Sequence, residues 1–360
     1  MKKILKAVLS CSLIIFFVFV IFQFAFAAPP ANFQTTQIIG SGLNEPSGFE
    51  FAPDGRIFIL ERAGKIKIYK NGQLLPTPFA DLHSVASGDR GLIGIAFDPD
   101  FSANHYVYFY YTSAEDLLNR IVRFDASGDV GTNGPFILYQ TTSPSLNLHV
   151  GGTLAFGPDG KLYFAVGDNG YPPNAQDLAN PHGKILRINK DGTIPPDNPF
   201  VGQGGKLGEI WAYGFRNPWR FQFDKANGRI FGGDVGEETV EEVNRIEKGK
   251  NYGWPHSEGP CGSCPYVNPI YSYPHNGESR AVSGGPIYRG SMFPAEYQGA
   301  YFFGDYAGGF IKRLALDAAG NSTGVSDFDL SAGSVVDMKV AGDGSMYYLV
   351  YSGTLFRISY

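Results

Sequence analysis

The sequence predicts an all-β chain folded as a six-bladed β-propeller, and three observations carry that expectation. Beyond residue 33 the apolar residues show hardly any helical period. The 360 residues include 47 Gly and 24 Pro, yet 43% are hydrophobic and 15% aromatic. That composition suits many short strands joined by tight turns and is wrong for disorder. One strand–turn–strand–turn–strand motif also recurs six times, the signature of a radial array of blades around a central channel.

Taken in order, the first unit is Phe51-Ala-Pro-Asp-Gly-Arg-Ile-Phe-Ile-Leu followed by Gly64-Lys-Ile-Lys-Ile-Tyr. The second joins Phe97-Asp-Pro-Asp-Phe and Tyr106-Val-Tyr-Phe-Tyr-Tyr to Asn119-Arg-Ile-Val-Arg-Phe. The third is Phe156-Gly-Pro-Asp-Gly-Lys-Leu-Tyr with Gly183-Lys-Ile-Leu-Arg-Ile, and the fourth Phe223-Asp-Lys-Ala-Asn-Gly-Arg-Ile-Phe with Glu242-Val-Asn-Arg-Ile. Tyr297-Gln-Gly-Ala-Tyr-Phe-Phe-Gly-Asp with Gly309-Phe-Ile-Lys-Arg-Leu makes the fifth. Val340-Ala-Gly-Asp-Gly-Ser-Met-Tyr with Gly353-Thr-Leu-Phe-Arg-Ile makes the sixth. Pro presets φ and Gly supplies positive φ in these turns. An early strand over residues 33–39 is expected to lie beside 347–351 and close the ring. The long insertions, 169–182, 189–208 and 252–286, are expected to gather on one face. Residues 29–360 read as one domain.

Residues 1–28 read as a signal peptide. Lys2, Lys3 and Lys6 precede an apolar run, and Ala25-Phe-Ala supplies a small-x-small cleavage signal. Export to the periplasm or the extracellular space follows, and membrane attachment is expected only if that leader stays uncleaved. Without it, 26 basic side chains face 34 acidic ones, a net of −8. No basic field exists to neutralise phosphates, which excludes a nucleic-acid partner. Cys261 and Cys264, flanked by Pro260 and Pro265, fit a small structural disulfide in an oxidising compartment.

Several residues could carry chemistry. His149 stands at a strand entrance beside glycines that allow close approach of a ligand, a suitable place for a general base. Asp168 closes the following hairpin, where it could orient His149; a histidine bonded within a turn is the structural alternative. Arg216-Asn217-Pro218 offers a forked, permanent cation for a carboxylate or a developing oxyanion, or else a staple between blades. The loop with Asp234, Glu237, Glu238, Glu241 and Glu242 could ligate Ca²⁺ or be a solvated acidic turn. No dinucleotide fingerprint, P-loop or nucleophile elbow is present.

Five runs in order then show a family resemblance: Gly88-Asp-Arg-Gly-Leu-Ile-Gly-Ile-Ala-Phe, His149-Val-Gly-Gly-Thr-Leu-Ala-Phe, Gly183-Lys-Ile-Leu-Arg-Ile, Gly214-Phe-Arg-Asn-Pro and Gly249-Lys-Asn-Tyr-Gly-Trp-Pro. Together they resemble the soluble quinoprotein glucose/sorbosone dehydrogenases, or aldose sugar dehydrogenases, over nearly all of the chain beyond the leader. The resemblance implies six blades, pyrroloquinoline quinone (PQQ) with Ca²⁺ as cofactors, and oxidation of the anomeric carbon of a sugar to a lactone. It leaves the electron acceptor unspecified. By position, His149 is similar to the family's base, Asp168 to the acid supporting it, and Arg216 to the arginine at the reactive quinone carbonyl. Asn217 resembles a cofactor neighbour, and Arg289 falls where the family has a lysine on a quinone carboxylate. Gly236 and Glu237 resemble carbonyl ligands of the cofactor-polarising Ca²⁺, and Glu242 and Tyr252 ligands of a second, structural Ca²⁺.

Three departures stand out. Asp89 replaces a glutamine near the substrate and cofactor, Trp219 replaces another glutamine, and the late loop Asp305-Tyr-Ala-Gly-Gly-Phe lacks the family's basic residues. The Asn-Pro-Trp-Arg form is also similar to relatives of the hedgehog-interacting-protein type, in which the propeller is a binding module. A Ca²⁺-dependent lactonase is a third expectation for a six-bladed ring.

Overall fold

The computed structural model describes residues 29–360, so the expected leader lies outside the described residues. Six antiparallel sheets follow one another around a ring. Blade 1 comprises Pro46–Phe51, Ile57–Glu61, Lys65–Lys70 and Gln73–Leu74, with Ala80–Asp81 as a short extra strand against Lys65–Lys70. Blade 2 is Leu92–Phe97, Tyr106–Thr112, Asn119–Ser127 and Val130–Gln140. Blade 3 is Leu154–Phe156, Leu162–Val166, Lys184–Ile188 and Ile210–Tyr213. Blade 4 is Pro218–Phe223, Ile230–Asp234, Val240–Ile246 and Tyr271–Pro274. Blade 5 is Val282–Gly284, Tyr301–Asp305, Phe310–Leu316 and Ser322–Asp329. Blade 6 is Val335–Val340, Met346–Val350 and Thr354–Ser359, completed by Gln34–Ile39 from the start of the described chain.

The recurring turns explain the regularity. Gly55, Gly160 and Gly344 each return their N–H to the carbonyl three residues earlier at 3.0 Å, and all three have positive φ. The preceding aspartates, Asp54, Asp159 and Asp343, accept the N–H of Arg56, Lys161 and Ser345. Each turn is therefore satisfied by its own residues, and the flanking strands need no outside help to pair.

Six apolar clusters sit at the six junctions between neighbouring blades, the last joining blade 6 to blade 1 through Phe49, Ile59, Val336 and Leu349. Burying a side chain of this size contributes about 1.5–3 kcal/mol, so the core is a ring of interfaces rather than one central mass. The channel is lined by the first strand of each blade. All six start at one mouth of the channel and end at the other, where the aspartate–glycine turns lie.

Three expectations change. Blades 1 to 5 each gain a fourth, outer strand, and in blade 4 it comes from the stretch read as an irregular rim, because Tyr271–Pro274 pairs with Val240–Val243. The closing strand pairs with Thr354–Ser359, in the register Gln34↔Ser359 and Thr36↔Arg357, and not with 347–351. Met346–Val350 already has a partner on each edge, so only the outermost strand can accept another. The insertions also divide between the faces. Residues 169–182 lie at the strand-start mouth, whereas the 189–208 loop lies at the other end, where Lys190 pairs with Asp100 of a blade 2 turn.

Candidate active site

The strand-start mouth holds a cavity of about 370 Å³ lined by His149, Asp89, Arg216, Asn217, Trp219 and Gly236, among others. The local backbone explains how His149 gets there. Its φ is +52° and Gly151 follows at +71°, so the chain folds back tightly before entering blade 3. A Cβ on Gly167 would lie 2.2 Å from the His149 carbonyl oxygen; only glycine lets the hairpin's return approach this closely. That approach delivers Asp168 to the imidazole. His149 Nδ1 and Asp168 Oδ1 are 2.6 Å apart, and among the described residues Nε2 has no protein partner. Asp168 itself is fully buried.

Asp89 accepts the backbone N–H of His149 at 2.7 Å and is 3.4 Å from Asn217 Nδ2. Asn217 Oδ1 in turn accepts from Gly151 N at 3.0 Å. Buried Asp234 takes the N–H groups of Arg216 and Asn217 at 3.0 and 2.7 Å, which fixes the Arg-Asn pair at the entrance of blade 4. Burial, with Glu242 close by, pushes the Asp234 carboxyl well above its ordinary range despite those bonds. Arg216 donates Nη1–H to Val235 O at 3.1 Å, and its guanidinium lies 5.6 Å from the Trp254 ring centre. Its Nε is buried without a partner.

The structure thus brings His149, Asp168, Asp89, Arg216, Asn217 and Gly236 together. Arg289 is not among them. The chain after Val282–Gly284 runs on toward the opposite mouth, where Arg289 makes a two-pronged ion pair with Asp224 at 2.9 and 2.7 Å and borders a separate cavity of about 760 Å³. Tyr252 is buried at the junction of blades 3 and 4, stacked on Phe215 at 4.5 Å. Its hydroxyl donates to Arg245 O at 2.6 Å and accepts from Glu247 N at 2.8 Å, so only its carbonyl is left for a metal. Asp305 does not face the cavity as an open charge either. It is buried and accepts from Tyr273 Oη, Ala281 N and Gly308 N.

Sequence reasoning missed Arg62, which comes from the turn after the second strand of blade 1. It lines the same cavity, bonds to Tyr351 Oη at 3.0 Å and Arg90 O at 2.9 Å, and adds a second guanidinium at the mouth. A Glu-Arg-Ala-Gly turn on the strand-start side was the available signal. It also missed Glu258, whose Oε1 accepts from Glu237 N at 2.8 Å and from Thr239 N at 3.2 Å and so shapes the acidic loop.

A flat, anionic quinone suits this mouth: two guanidinium groups, an unpartnered buried Arg216 Nε and the Trp219 ring surround the space. For Ca²⁺ the donors are different. Among the described residues no group of three or more His, Cys, Asp or Glu side chains converges as a metal cage, so an ion here would rely on the Gly236 and Glu237 carbonyls. Glu237 is exposed on the loop. Near buried Glu242, the Asn244 Oδ1 is a buried acceptor with no partner, which fits a cation beside that carboxylate. Burial raises the Glu242 carboxyl above its ordinary range. Cys261 and Cys264 form the expected disulfide.

With this geometry in view, the comparisons with known proteins are informative. The glucose / sorbosone dehydrogenase family profile matches residues 43–357. The chain is 27% identical to the aldose sugar dehydrogenase YliI of Escherichia coli K12, over 92% of this chain and 94% of that one. It is 30% identical to human hedgehog-interacting protein over 76% of this chain but only 43% of that protein. Among solved structures, the PQQ-bound aldose sugar dehydrogenase of Streptomyces coelicolor superposes with a TM-score of 0.77 at 28% identity, covering 92% of this chain and 99% of the other. The six-bladed ring agrees with those matches, and the chain belongs to the glucose/sorbosone dehydrogenase family.

Proposed function

We propose that this chain is an exported aldose sugar dehydrogenase that uses PQQ and Ca²⁺ and releases a lactone. One observation carries the reading: His149, with Nδ1 held 2.6 Å from a buried carboxylate, leaves Nε2 facing a cavity that also presents Arg216. The Asp168 bond sets the tautomer with the proton on Nδ1, so Nε2 is the basic atom. It accepts the proton of the sugar C1 hydroxyl while the C1 hydride departs, and loss of both leaves the lactone carbonyl. The quinone, when bound, supplies the two-electron acceptor for that hydride. Arg216, oriented by Val235 O and the Trp254 ring, would offset the negative charge that a bound quinone gathers on reduction. Asp89, by fixing the His149 backbone, and Asn217, by fixing Gly151, keep the base from swinging away. The Gly236 and Glu237 carbonyls are the ones that would hold Ca²⁺.

The test is reconstitution of the purified protein with quinone and Ca²⁺, followed by dye reduction with a series of aldoses. Reduction with at least one sugar, lowered about 10²–10⁴-fold by His149→Gln, is expected. No reduction with any sugar, together with no quinone binding in a visible-absorbance titration, overturns the reading.

Trp219 favours a second reading, a binding module of the hedgehog-interacting-protein type. It reaches across the channel to donate Nε1–H to Val336 O at 3.3 Å and narrows the cavity. A glycan or protein partner retained by both His149→Gln and Arg216→Ala supports that reading. Hydrolysis of lactones without quinone supports instead a Ca²⁺-dependent lactonase.

A further inference from the structure

We infer that Trp254 is a positioning residue that sets both the supporting carboxylate and the arginine of the site; the inference rests on the proposed role of His149 as base. Asp168 has two oxygens with different partners. Oδ1 receives His149 Nδ1–H at 2.6 Å and Gly170 N–H at 2.8 Å. Oδ2 receives the indole Nε1–H of Trp254 at 2.8 Å. The carboxylate is fully buried, so without that indole one charged oxygen would lack a donor where no solvent can replace it. The group would then be free to turn about Cβ–Cγ, and the direction of the His149 bond would be lost.

The same ring carries the Arg216 guanidinium on its face, 5.6 Å from its centre. One rigid side chain thus touches both the base's partner and the cation. Its own position is set by the backbone. Residues 249–254 leave blade 4 and climb the outer edge of blade 3 as an added parallel segment, with Tyr213↔Asn251 as a bridge. Gly249 N bonds to Trp211 O, Tyr252 N to Tyr213 O and Trp254 N to Gly214 O. Gln176 closes the other side by donating Nε2–H to Trp254 O at 2.6 Å. Trp254 is 6% exposed, so its ring is packed on nearly every side. A tryptophan that served only the core would need neither the indole bond to a site carboxylate nor the guanidinium on its face.

The experiment has two arms. In the quinone-loaded protein, Trp254→Phe is expected to lower kcat about tenfold or more while leaving the sugar KM within about twofold, since an interaction that orients the base acts on the chemical step. Trp211→Phe serves as the control for removal of an indole that bonds neither Asp168 nor Arg216 and is expected to leave both parameters unchanged. In the quinone-free protein, the downfield His149 Nδ1–H proton resonance is expected to be present in the parent and lost or broadened in Trp254→Phe. The protein has three tryptophans, so a ¹⁵N-indole spectrum has three signals. Asp168→Asn is expected to shift the Trp254 signal alone in a chain that keeps Trp254. An unchanged His149 signal in Trp254→Phe, or an unmoved Trp254 indole in Asp168→Asn, overturns the inference. If the parent oxidises no sugar, the dehydrogenase reading fails, and the spectroscopic arm still decides whether Trp254 holds the Asp168–His149 pair. If Trp254→Phe does not fold, the Asp168→Asn spectrum decides it.

Discussion

His182 illustrates how a single residue behind the site couples it to stability. It is buried on the loop that returns from Asp168, with Nε2 3.0 Å from Ser143 Oγ and Nδ1 unpartnered. Burial, with nearby Lys184, lowers its pKa to about 4 from an ordinary 6.5. Between those values the unfolded chain takes up a proton that the folded one refuses. Stability therefore falls as pH drops from about 6.5 toward 4, and this loss stops below 4, where both states are protonated. The effect is on the order of 3 kcal/mol for one such group. Urea unfolding at a series of pH values is expected to show that loss in the parent and a flatter profile in His182→Gln; equal slopes would remove His182 as the cause. Lys184 works on the same loop. Its Nζ donates to the carbonyls of Asn174, Ala175 and His182 at 2.8, 3.1 and 2.6 Å, and burial lowers its pKa to about 7. Asn174 passes the restraint on by donating to Asp168 O at 2.9 Å. His149 and Asp168 could be paired from the sequence because a hairpin brings its own ends together. Lys184 gave no such signal, since a lysine at the start of a blade's third strand is read as solvent-facing until the loop above it is seen.

At the scale of the elements, the closing strand ties the start of the described chain to its end. Gln34–Ile39 covers the otherwise open edge of Thr354–Ser359, and the anchor at its start is Phe33. That ring meets Phe293, Tyr297, Phe328 and Tyr360 edge-to-face at 4.8–5.1 Å, spanning blades 5 and 6. Phe33→Ala is expected to cost about 2–4 kcal/mol, less than a fully buried phenylalanine because Phe33 is only partly covered. Deleting residues 29–39 should lower the urea midpoint further and expose a strand edge that promotes self-association, detectable by light scattering. A truncated chain that stays monomeric with an unchanged midpoint would show that the ring closes without this strand. The inner hairpins of blades 1, 3 and 6 were legible because Asp54, Asp159 and Asp343 satisfy their own turns. The climb of residues 249–254 along blade 3 was not legible, because its partners, Trp211 to Gly214, belong to another blade. Long-range pairing of this kind leaves no local pattern.

For the whole molecule, the decisive feature is that one channel has two mouths with different chemistry. The strand-start mouth presents His149 and two arginines around about 370 Å³. The strand-end mouth is wider, about 760 Å³, and is bordered by Phe51, Phe97, Phe156 and Phe223 at the ends of inner strands. Between them Arg220 blocks the axis, donating to Ser47 O at 2.5 Å and lying 3.8 Å from Asp337. Homology by position assigned Arg289 to the first mouth because the residues around it align in order, and order along a chain does not say at which end of a strand a residue falls. At the second mouth its bonds to Asp224 outweigh the effect of burial and hold that carboxyl below its ordinary range. Arg289→Ala therefore strands a buried carboxylate. The half-exposed guanidinium is screened by water, which limits the expected cost to about 1–2 kcal/mol. Quinone affinity, measured by absorbance titration, is expected to stay within about twofold of the parent, because Arg289 borders the other cavity. Arg216→Ala is expected to reverse the pattern, weakening quinone binding about tenfold or more through loss of a charge-assisted contact, with little change in the urea midpoint. If Arg289→Ala weakens the quinone and Arg216→Ala does not, the cofactor occupies the strand-end mouth and the assignment of the two ends must be exchanged.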